Sequence, residues 1–194
     1  MREQYAQSWI DLATVDGKVY GVFIKTALKG LIWYNPKALA AAGYQVPETW
    51  DAVLQLTERI AAEGKTPWCI GLESGAASGW PATDWIEDIM LRTAGPEVYD
   101  QWWRHEIPWT DPAVQTAWET WGEIVNDETM VFGGPQNVVA TNFGEAFGPM
   151  FEEQPNCYMH RQASFITTFF TDQFPDLVAG EDYNFFVFPA IDEA

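Results

Sequence analysis

The sequence predicts an α/β domain, and two observations indicate it. Short apolar and aromatic runs bounded by Gly, Pro and Asn, such as "GLIWYN" at residues 30–35, are typical of buried strands. Segments with helical periodicity and capping residues alternate with these runs, which favours helices on both faces of a sheet. The 194 residues suffice for one domain with a sizeable core, so we expect residues 1–194 to form a single domain. The strands are expected near residues 18–24, 29–34, 67–72, 145–151 and 184–188.

Two helices are predicted in the first third of the chain. Asn35 can cap a helix over residues 36–42, since a proline occupies its first position and Gly43 follows its last alanine. Thr49 is the expected cap of a second helix, which Gly64 ends. The apolar residues that recur on one face of this helix are Val53, Leu56 and Ile60.

Three more helices are predicted further along. Asp84 and Glu87 have capping-box spacing ahead of an apolar stretch that stops at Gly95. Asp111, followed by a proline, begins a stronger helix. Its apolar face is formed by Val114, Ala117, Trp118, Trp121 and Val125. A last helical stretch is expected over residues 158–171.

Charge excludes two classes of partner. Ten basic residues against 28 acidic ones leave a formal net charge of −18, which would repel nucleic acid and anionic lipid surfaces. A neutral ligand, a cation, or simple solubility through surface carboxylates all fit this charge. No stretch approaches the roughly 18 apolar residues that cross a bilayer, so no membrane insertion is expected. The N-terminus carries no export signal, which fits either a cytosolic protein or a piece of an exported one.

Tryptophan is unusually frequent, with 11 residues. Most of them, including Trp50, Trp118 and Trp121, are expected in the core. Trp80 differs because "ESGAASGWPATDW" surrounds it with small residues and turn formers, which indicates a loop at the carboxyl end of a strand. Ligands bind at that edge of open α/β sheets, and an aromatic ring there can stack on the C–H face of a sugar. For Trp80, a binding role and a core role both stay open.

The sequence resembles a known family. The segments that carry the resemblance are "GKVYGV", "LIWYNPKALAAAGYQVPETWDAVLQLTERIAAEG", "PWCIGLESGAASGWPATDW" and "FGEAFGPM". They are similar to the carbohydrate-binding extracellular solute-binding proteins of ABC importers, the family that includes maltose-binding protein, and closest to its α-glucoside binders. The most specific part is the spacing of Tyr34-Asn35, Gly43, Pro47 and Thr49-Trp50.

This resemblance implies a fold, a function and a location. The chain would be the C-terminal lobe of a type II periplasmic-binding-protein-like fold with a central mixed sheet, and residues 18–24 and 184–190 would lie near the hinge. A sugar or oligosaccharide would bind in the cleft between two lobes, without a cofactor or metal. The protein would be a periplasmic or extracellular monomer, soluble or lipid-anchored, whose partner is the membrane permease of the importer.

The resemblance also implies site residues. Trp80 and Glu73 lie in the stretch that often supplies an aromatic platform and an acid to the sugar. The family's second aromatic is absent, so Tyr158, His160 or Gln162 would substitute for it. Trp33 either packs inward from its strand or lines the cleft.

The two cysteines, Cys69 and Cys157, have two possible fates. They could be buried thiols, as is common in a cytosolic core. The resemblance implies a location outside the cytoplasm, where disulfides persist, so we expect them to be bridged.

Two other functions were weighed. Glycoside hydrolysis needs a pair of carboxylates, and the candidates are Glu73, Asp84, Glu87 and Asp88. Two of these already have the spacing of a helix cap, the chain has no nucleophile or nucleotide motif, and His105 and His160 lack metal-ligand spacing. We therefore do not expect an enzyme. A protein-interaction domain would instead bind no saccharide.

Overall fold

The structure, a computed structural model, describes residues 4–191. Within that range the α-helices are α1 (Gln7–Leu12), α2 (Pro36–Ala42), α3 (Trp50–Ala62), α4 (Trp80–Thr93), α5 (Gly95–Trp103), α6 (Pro112–Val125), α7 (Gly134–Ala140) and α8 (Ile166–Gln173). The strands are β1 (Thr14–Val15), β2 (Lys18–Val19), β3 (Leu31–Tyr34), β4 (Met159–Arg161) and β5 (Asn184–Val187). Short 3₁₀ turns occupy Gly75–Ala77 and Gly148–Phe151. The α/β class is confirmed, with helices packed around a small sheet.

The central sheet has β3 in its middle. Strands β4 and β5 pair antiparallel with it on either side, so that Trp33 lies opposite both His160 and Phe185. All four residues of β3 are buried, as the apolar run predicts. Parallel pairings also occur, as isolated bridges from Trp68 to Val131 and to Met159.

Three predicted strands do not form as expected. Residues 20–24 extend without strand pairing, and β2 covers only Lys18–Val19. Residues 67–72 form the isolated bridges at Trp68 but no regular strand. Residues 145–151 form turns ending in a 3₁₀ turn, because Pro149 has no N–H to offer a sheet. Nor is 158–171 one helix, since it contains strand β4 before helix α8.

Helices α2, α3 and α6 form where their capping residues predict them. The side chains of Asn35, Thr49 and Asp111 accept hydrogen bonds from backbone N–H groups of the first helical turns. Gly43 ends α2 in the left-handed region, with φ of 70°, which glycine adopts without steric cost.

Helix α4 begins five residues earlier than predicted. Gly79, with φ of 99°, precedes it, and Trp80 is its first residue. Asp84 and Glu87 therefore lie inside the helix and do not form a capping box. The carboxylate of Asp84 pairs instead with side chains from other elements, an interaction that sequence spacing does not reveal. The helix does stop just before Gly95, as predicted, but Gly95 is also the first residue of the next helix, α5.

The core consists of two clusters, and alternate residues of β3 belong to each of them. The larger packs α3, α4 and α6 together and includes Trp50 and Trp121, as predicted. Trp118 was expected there too, but its side chain is 44% exposed on the outer face of α6. The smaller cluster surrounds a disulfide and includes Trp33, Phe147 and Phe170. Among the described residues no helix is long and apolar enough to cross a bilayer.

Cys69 and Cys157 form a disulfide, as predicted, with their Cα atoms 5.6 Å apart. Both cysteines are fully buried. The bridge joins the segment before Glu73 to the segment before β4. It therefore ties together two parts of the chain that are 88 residues apart in sequence.

Close backbone contact at Gly71 holds two loops together. A Cβ atom there would lie 2.7 Å from the Cβ of Ala146 and 2.8 Å from the carbonyl oxygen of Thr141. Only glycine permits this approach. As a result, the loop that carries Glu73 runs directly against the loop that follows α7, and Glu73 exchanges backbone hydrogen bonds with Thr141 and Phe143.

Candidate functional site

Four aromatic rings gather at one edge of the domain. We call them the aromatic wall: Trp80, Phe143, Phe165 and Phe169. The ring centroids of Trp80 and Phe143 are 5.1 Å apart, and those of Phe143 and Phe169 are 5.6 Å apart. All four side chains are only half-buried, so the wall presents apolar ring surface to solvent. Exposed rings in one patch are typical of a ligand-binding surface.

Three separate elements supply these rings. Trp80 is placed by the start of α4, where the N–H of Gly79 donates to the carbonyl oxygen of Leu72 at 2.8 Å. Phe143 lies in the loop after α7. Phe165 and Phe169 lie four residues apart at the start of α8, a spacing that puts both on one helix face. The wall therefore forms only when the whole domain has folded.

Glu73 and Asn142 form a polar edge next to the wall. The Nδ2 atom of Asn142 donates to Oε2 of Glu73 at 2.7 Å, and the N–H of Gly75 donates to Oε1 at 2.5 Å. These two hydrogen bonds, the backbone one first, lower the pKa of the Glu73 carboxyl, so it is ionised at neutral pH. Each oxygen keeps a further lone pair for a ligand hydroxyl.

Lys29 contacts the ring of Trp80. Its ammonium nitrogen is 4.9 Å from the centroid of the Trp80 ring. The same nitrogen donates to Oδ2 and Oδ1 of Asp84 at 2.6 and 2.8 Å. The wall is thus accompanied by an anionic side chain, Glu73, and a cationic one, Lys29.

A buried ion network lies behind the wall. Arg161 of β4 has a side chain only 1% exposed, and it pairs with the carboxylates of Asp84 and Asp88 on α4. Arg92 pairs with Asp88 at 2.9 Å and also donates to the carbonyl oxygen of Phe188 beyond β5. The network therefore fastens α4, which carries Trp80, to two strands of the sheet.

Two of the four candidate carboxylates for hydrolysis, Asp84 and Asp88, belong to this network. Asp84 and Asp88 are held in ion pairs with buried or half-buried cations. Burial, with a smaller contribution from Asp84, raises the pKa of the Glu87 carboxyl. Over residues 4–191 no group of three His, Cys, Asp or Glu side chains could hold a metal ion.

The remaining candidates lie in the interior rather than at the wall. Trp33 is 3% exposed, and its Nε1–H donates to the backbone carbonyl oxygen of Gln162. The side-chain oxygen of Gln162 accepts from the N–H of Ala163. Tyr158 packs edge-on against Tyr44 in the larger core cluster. Of the six predicted binding residues, the structure brings only Trp80 and Glu73 to the wall.

His160 is the most deeply placed of these candidates. Its ring lies beside Phe147, and its Nδ1 atom is 2.8 Å from the carbonyl oxygen of Cys69. Among residues 4–191, Nε2 finds no hydrogen-bond partner. Burial, partly offset by the hydrogen bond to Cys69 and assisted by the nearby charge of Arg161, lowers the pKa of His160 from 6.5 to about 4. The ring is therefore neutral at physiological pH and serves the core.

We expect His160 to make the folded state sensitive to mild acid. Its folded pKa lies below its unfolded pKa, so between these values the unfolded state binds the extra proton. The contribution is fully present above pH 6.5 and is lost as the pH falls towards 4, by an amount on the order of 3 kcal/mol. Urea unfolding of wild type and His160→Gln across this range measures it. The variant should lose stability less steeply, whereas the exposed His105→Gln control should follow the wild type. Parallel curves for wild type and His160→Gln would contradict the assignment.

Several wall residues are not evident from the sequence. Phe165 and Phe169 sit in "SFITTFF", where an aromatic run indicates core as readily as surface. Asn142 and Phe143 lie beside a segment predicted to be a strand. The one usable signal is the spacing of four between Phe165 and Phe169, which places them together on a helix.

Solved structures share this fold. The bacterial solute receptor AcbH, described as having a substrate preference for β-D-galactopyranose, is 25% identical with a TM-score of 0.75, over 98% of this chain and 45% of that one. A chitin oligosaccharide binding protein is 27% identical with a TM-score of 0.74, over 95% of this chain and 43% of that one. The fold is that of solute-binding proteins.

Sequence comparison shows the family. The model of the bacterial extracellular solute-binding proteins matches residues 3–194, and the chain belongs to this family. The osmoprotective compounds-binding protein GgtB of Synechocystis is 47% identical over 193 residues, which is 100% of this chain and 45% of GgtB. The α-glucosides-binding periplasmic protein AglE of Rhizobium meliloti is 47% identical over 188 residues, 94% of this chain and 40% of AglE. The chain thus spans less than half the length of these curated relatives.

Proposed function

We propose that the chain is the C-terminal lobe of the substrate-binding component of a carbohydrate ABC importer. The observation that carries the proposal is the aromatic wall flanked by the ionised carboxylate of Glu73. A pyranose ring has an apolar C–H face that stacks on an aromatic surface and hydroxyls that donate to a carboxylate. The wall and its polar edge offer both.

An α-glucoside is the ligand class that we propose. The name of AglE specifies α-glucosides, and its 47% identity over 94% of this chain supports a similar ligand here. A second lobe would close over the wall, with residues 18–24 and 184–190 near the hinge. In this proposal the protein is a periplasmic or extracellular monomer that delivers its sugar to a membrane permease.

We also propose that the protein is not an enzyme. The carboxylates of Asp84 and Asp88 are each engaged by two cationic side chains, so neither is placed to act as an acid or nucleophile on a sugar. Binding without turnover is what an importer requires of this component.

Trp80→Ala tests the proposed wall. In the longer protein that we propose contains this chain, the variant should bind its α-glucoside more weakly by on the order of 1–3 kcal/mol, because a stacking ring is lost. The melting temperature should change little, since Trp80 is half-buried at the domain edge. Isothermal titration calorimetry against a panel of mono- and oligosaccharides measures the affinity.

Trp103→Ala is the matched control, because Trp103 is 59% exposed on α5 and is not part of the wall. It should leave affinity unchanged. A Trp80→Ala protein that binds sugar as tightly as wild type would sink the proposed wall. Turnover of the sugar by the wild type would contradict the assignment as a binding protein.

A further inference from the structure

Lys29 is fixed in place over the aromatic wall. Its ammonium group is held by both carboxylate oxygens of Asp84 at 2.6 and 2.8 Å. The Asp84 side chain is only 8% exposed and is itself backed by Arg161, whose Nη1 is 3.4 Å from Oδ2. The Lys29 side chain, by contrast, is 49% exposed. A buried carboxylate thus anchors a solvent-facing cation 4.9 Å from the centre of the Trp80 ring.

This position is the one that a cationic ligand would take. A lysine ammonium or a quaternary ammonium ligand within about 6 Å of an aromatic centroid is attracted by the negative ring face. A wall of four aromatic rings would otherwise suit such a ligand. The attraction would be reinforced by the protein's net charge of −18, which draws cations towards the surface. The ammonium of Lys29 already occupies a place over Trp80.

The same ammonium group can also serve a neutral ligand. It has three N–H donors, and the two oxygens of Asp84 engage two of them. The third is not engaged by Asp84, so it can donate to a hydroxyl of a sugar bound at the wall. Glu73 accepts hydrogen bonds at the polar edge of the wall, so a ligand with hydroxyl groups finds a donor and an acceptor at different points.

We infer that Lys29 is a specificity-determining residue: it excludes quaternary ammonium solutes from the wall and donates a hydrogen bond to a hydroxyl of a neutral glycoside. This inference rests on the proposed function and adds to it the residue that selects ligand charge. Asp84 is the positioning residue that holds the ammonium over Trp80.

Lys29→Met in the longer protein tests the inference. Methionine keeps an unbranched apolar side chain but removes the charge and the donors. Calorimetry should show that the variant binds the α-glucoside preferred by the wild type about tenfold more weakly. This is the loss expected for a hydrogen bond from a charged group. Choline, used as the quaternary ammonium probe, should bind the variant measurably and the wild type not at all. Lys29→Arg, which keeps the cation, should continue to exclude choline.

Lys37→Met is the matched control. Lys37 makes an ion pair of the same 2.6 Å length, with Asp182, and lies at the start of α2. Its variant should bind like wild type. If Lys29→Met binds the α-glucoside as tightly as the wild type does and still does not bind choline, the inference is overturned while the proposed function stays intact. Choline binding by the wild type would overturn it as well. A wild type that binds no glycoside at all would defeat the proposed function, and this inference with it. Circular dichroism melts confirm that each variant is folded before binding is compared.

Discussion

A double variant, Cys69→Ala with Cys157→Ala, is expected to unfold with about 4 kcal/mol less free energy than the oxidised wild type. The disulfide joins residues 88 apart in sequence, and closing so long a loop restricts the unfolded chain strongly. Both cysteines are fully buried, so the loss of two sulfur atoms from the smaller core cluster adds a packing cost. Urea unfolding monitored by tryptophan fluorescence measures the difference.

Reductant provides the control for this prediction. Unfolding the wild type in excess dithiothreitol should reproduce most of the loss, while the double variant should be indifferent to reductant. Equal stability of the oxidised wild type and the double variant would show that the bridge does not restrict the unfolded chain as calculated. Two free thiols per wild-type chain, titrated under denaturing conditions, would show that the bridge is absent.

Asp88→Asn is expected to cost about 3–5 kcal/mol of unfolding free energy. The carboxylate of Asp88 pairs with both Arg161 and Arg92, and the Arg161 side chain is only 1% exposed. Asparagine keeps the shape but removes the charge, so the buried guanidinium loses one of its two anionic partners. The network is then left with three cations, Lys29, Arg92 and Arg161, and one carboxylate. Positive charge that is only partly compensated in the interior is costly because water no longer solvates it.

Asp100→Asn is the matched control for Asp88→Asn. Asp100 pairs with Arg104 across the same four-residue helical spacing as Asp88 with Arg92, but both partners are nearly half exposed. A surface pair of this kind contributes about 0–1 kcal/mol. Chemical denaturation of both variants therefore separates burial from pairing. Similar small losses in the two variants would contradict a structural role for the network.

Local signals predicted the helices with polar caps. Asn35, Thr49 and Asp111 each act within three residues of the N–H group that they bind, so a short window of sequence contains the whole interaction. The start of α4 could not be predicted in this way, because Gly79 precedes the helix and has no side chain to cap it. Asp84, which has the right spacing for a cap, is instead bound by residues far away in the chain.

Tertiary pairing explains the strands that were missed or misplaced. Strand β4 has three residues and is buried on both faces, so it has no alternation that sequence could reveal. Its assignment depends on pairing with β3, more than 120 residues earlier in the chain. The run at 145–151 is more apolar than β4, yet it folds into turns that fill the core around the disulfide.

The site was partly predictable for a similar reason. Small residues and turn formers around Trp80 indicate a loop, and the family resemblance implied Glu73. Phe143 and Phe165 are exposed only through the way their elements meet, and no local pattern distinguishes them from core residues. Conversely, polar side chains at 160 and 162 suggested ligand contacts, whereas the fold uses them in the interior.

The tight contact at Gly71 makes this position less tolerant of substitution than the four rings of the aromatic wall. Any side chain there would push apart the loops that carry Glu73 and Phe143, because its Cβ would lie 2.8 and 2.9 Å from the backbone oxygens of Thr141 and Asn142. The four rings in front of it meet solvent and tolerate exchange for other flat or apolar groups. Over evolutionary time the rings could therefore be exchanged without disturbing this contact, whereas position 71 should remain glycine.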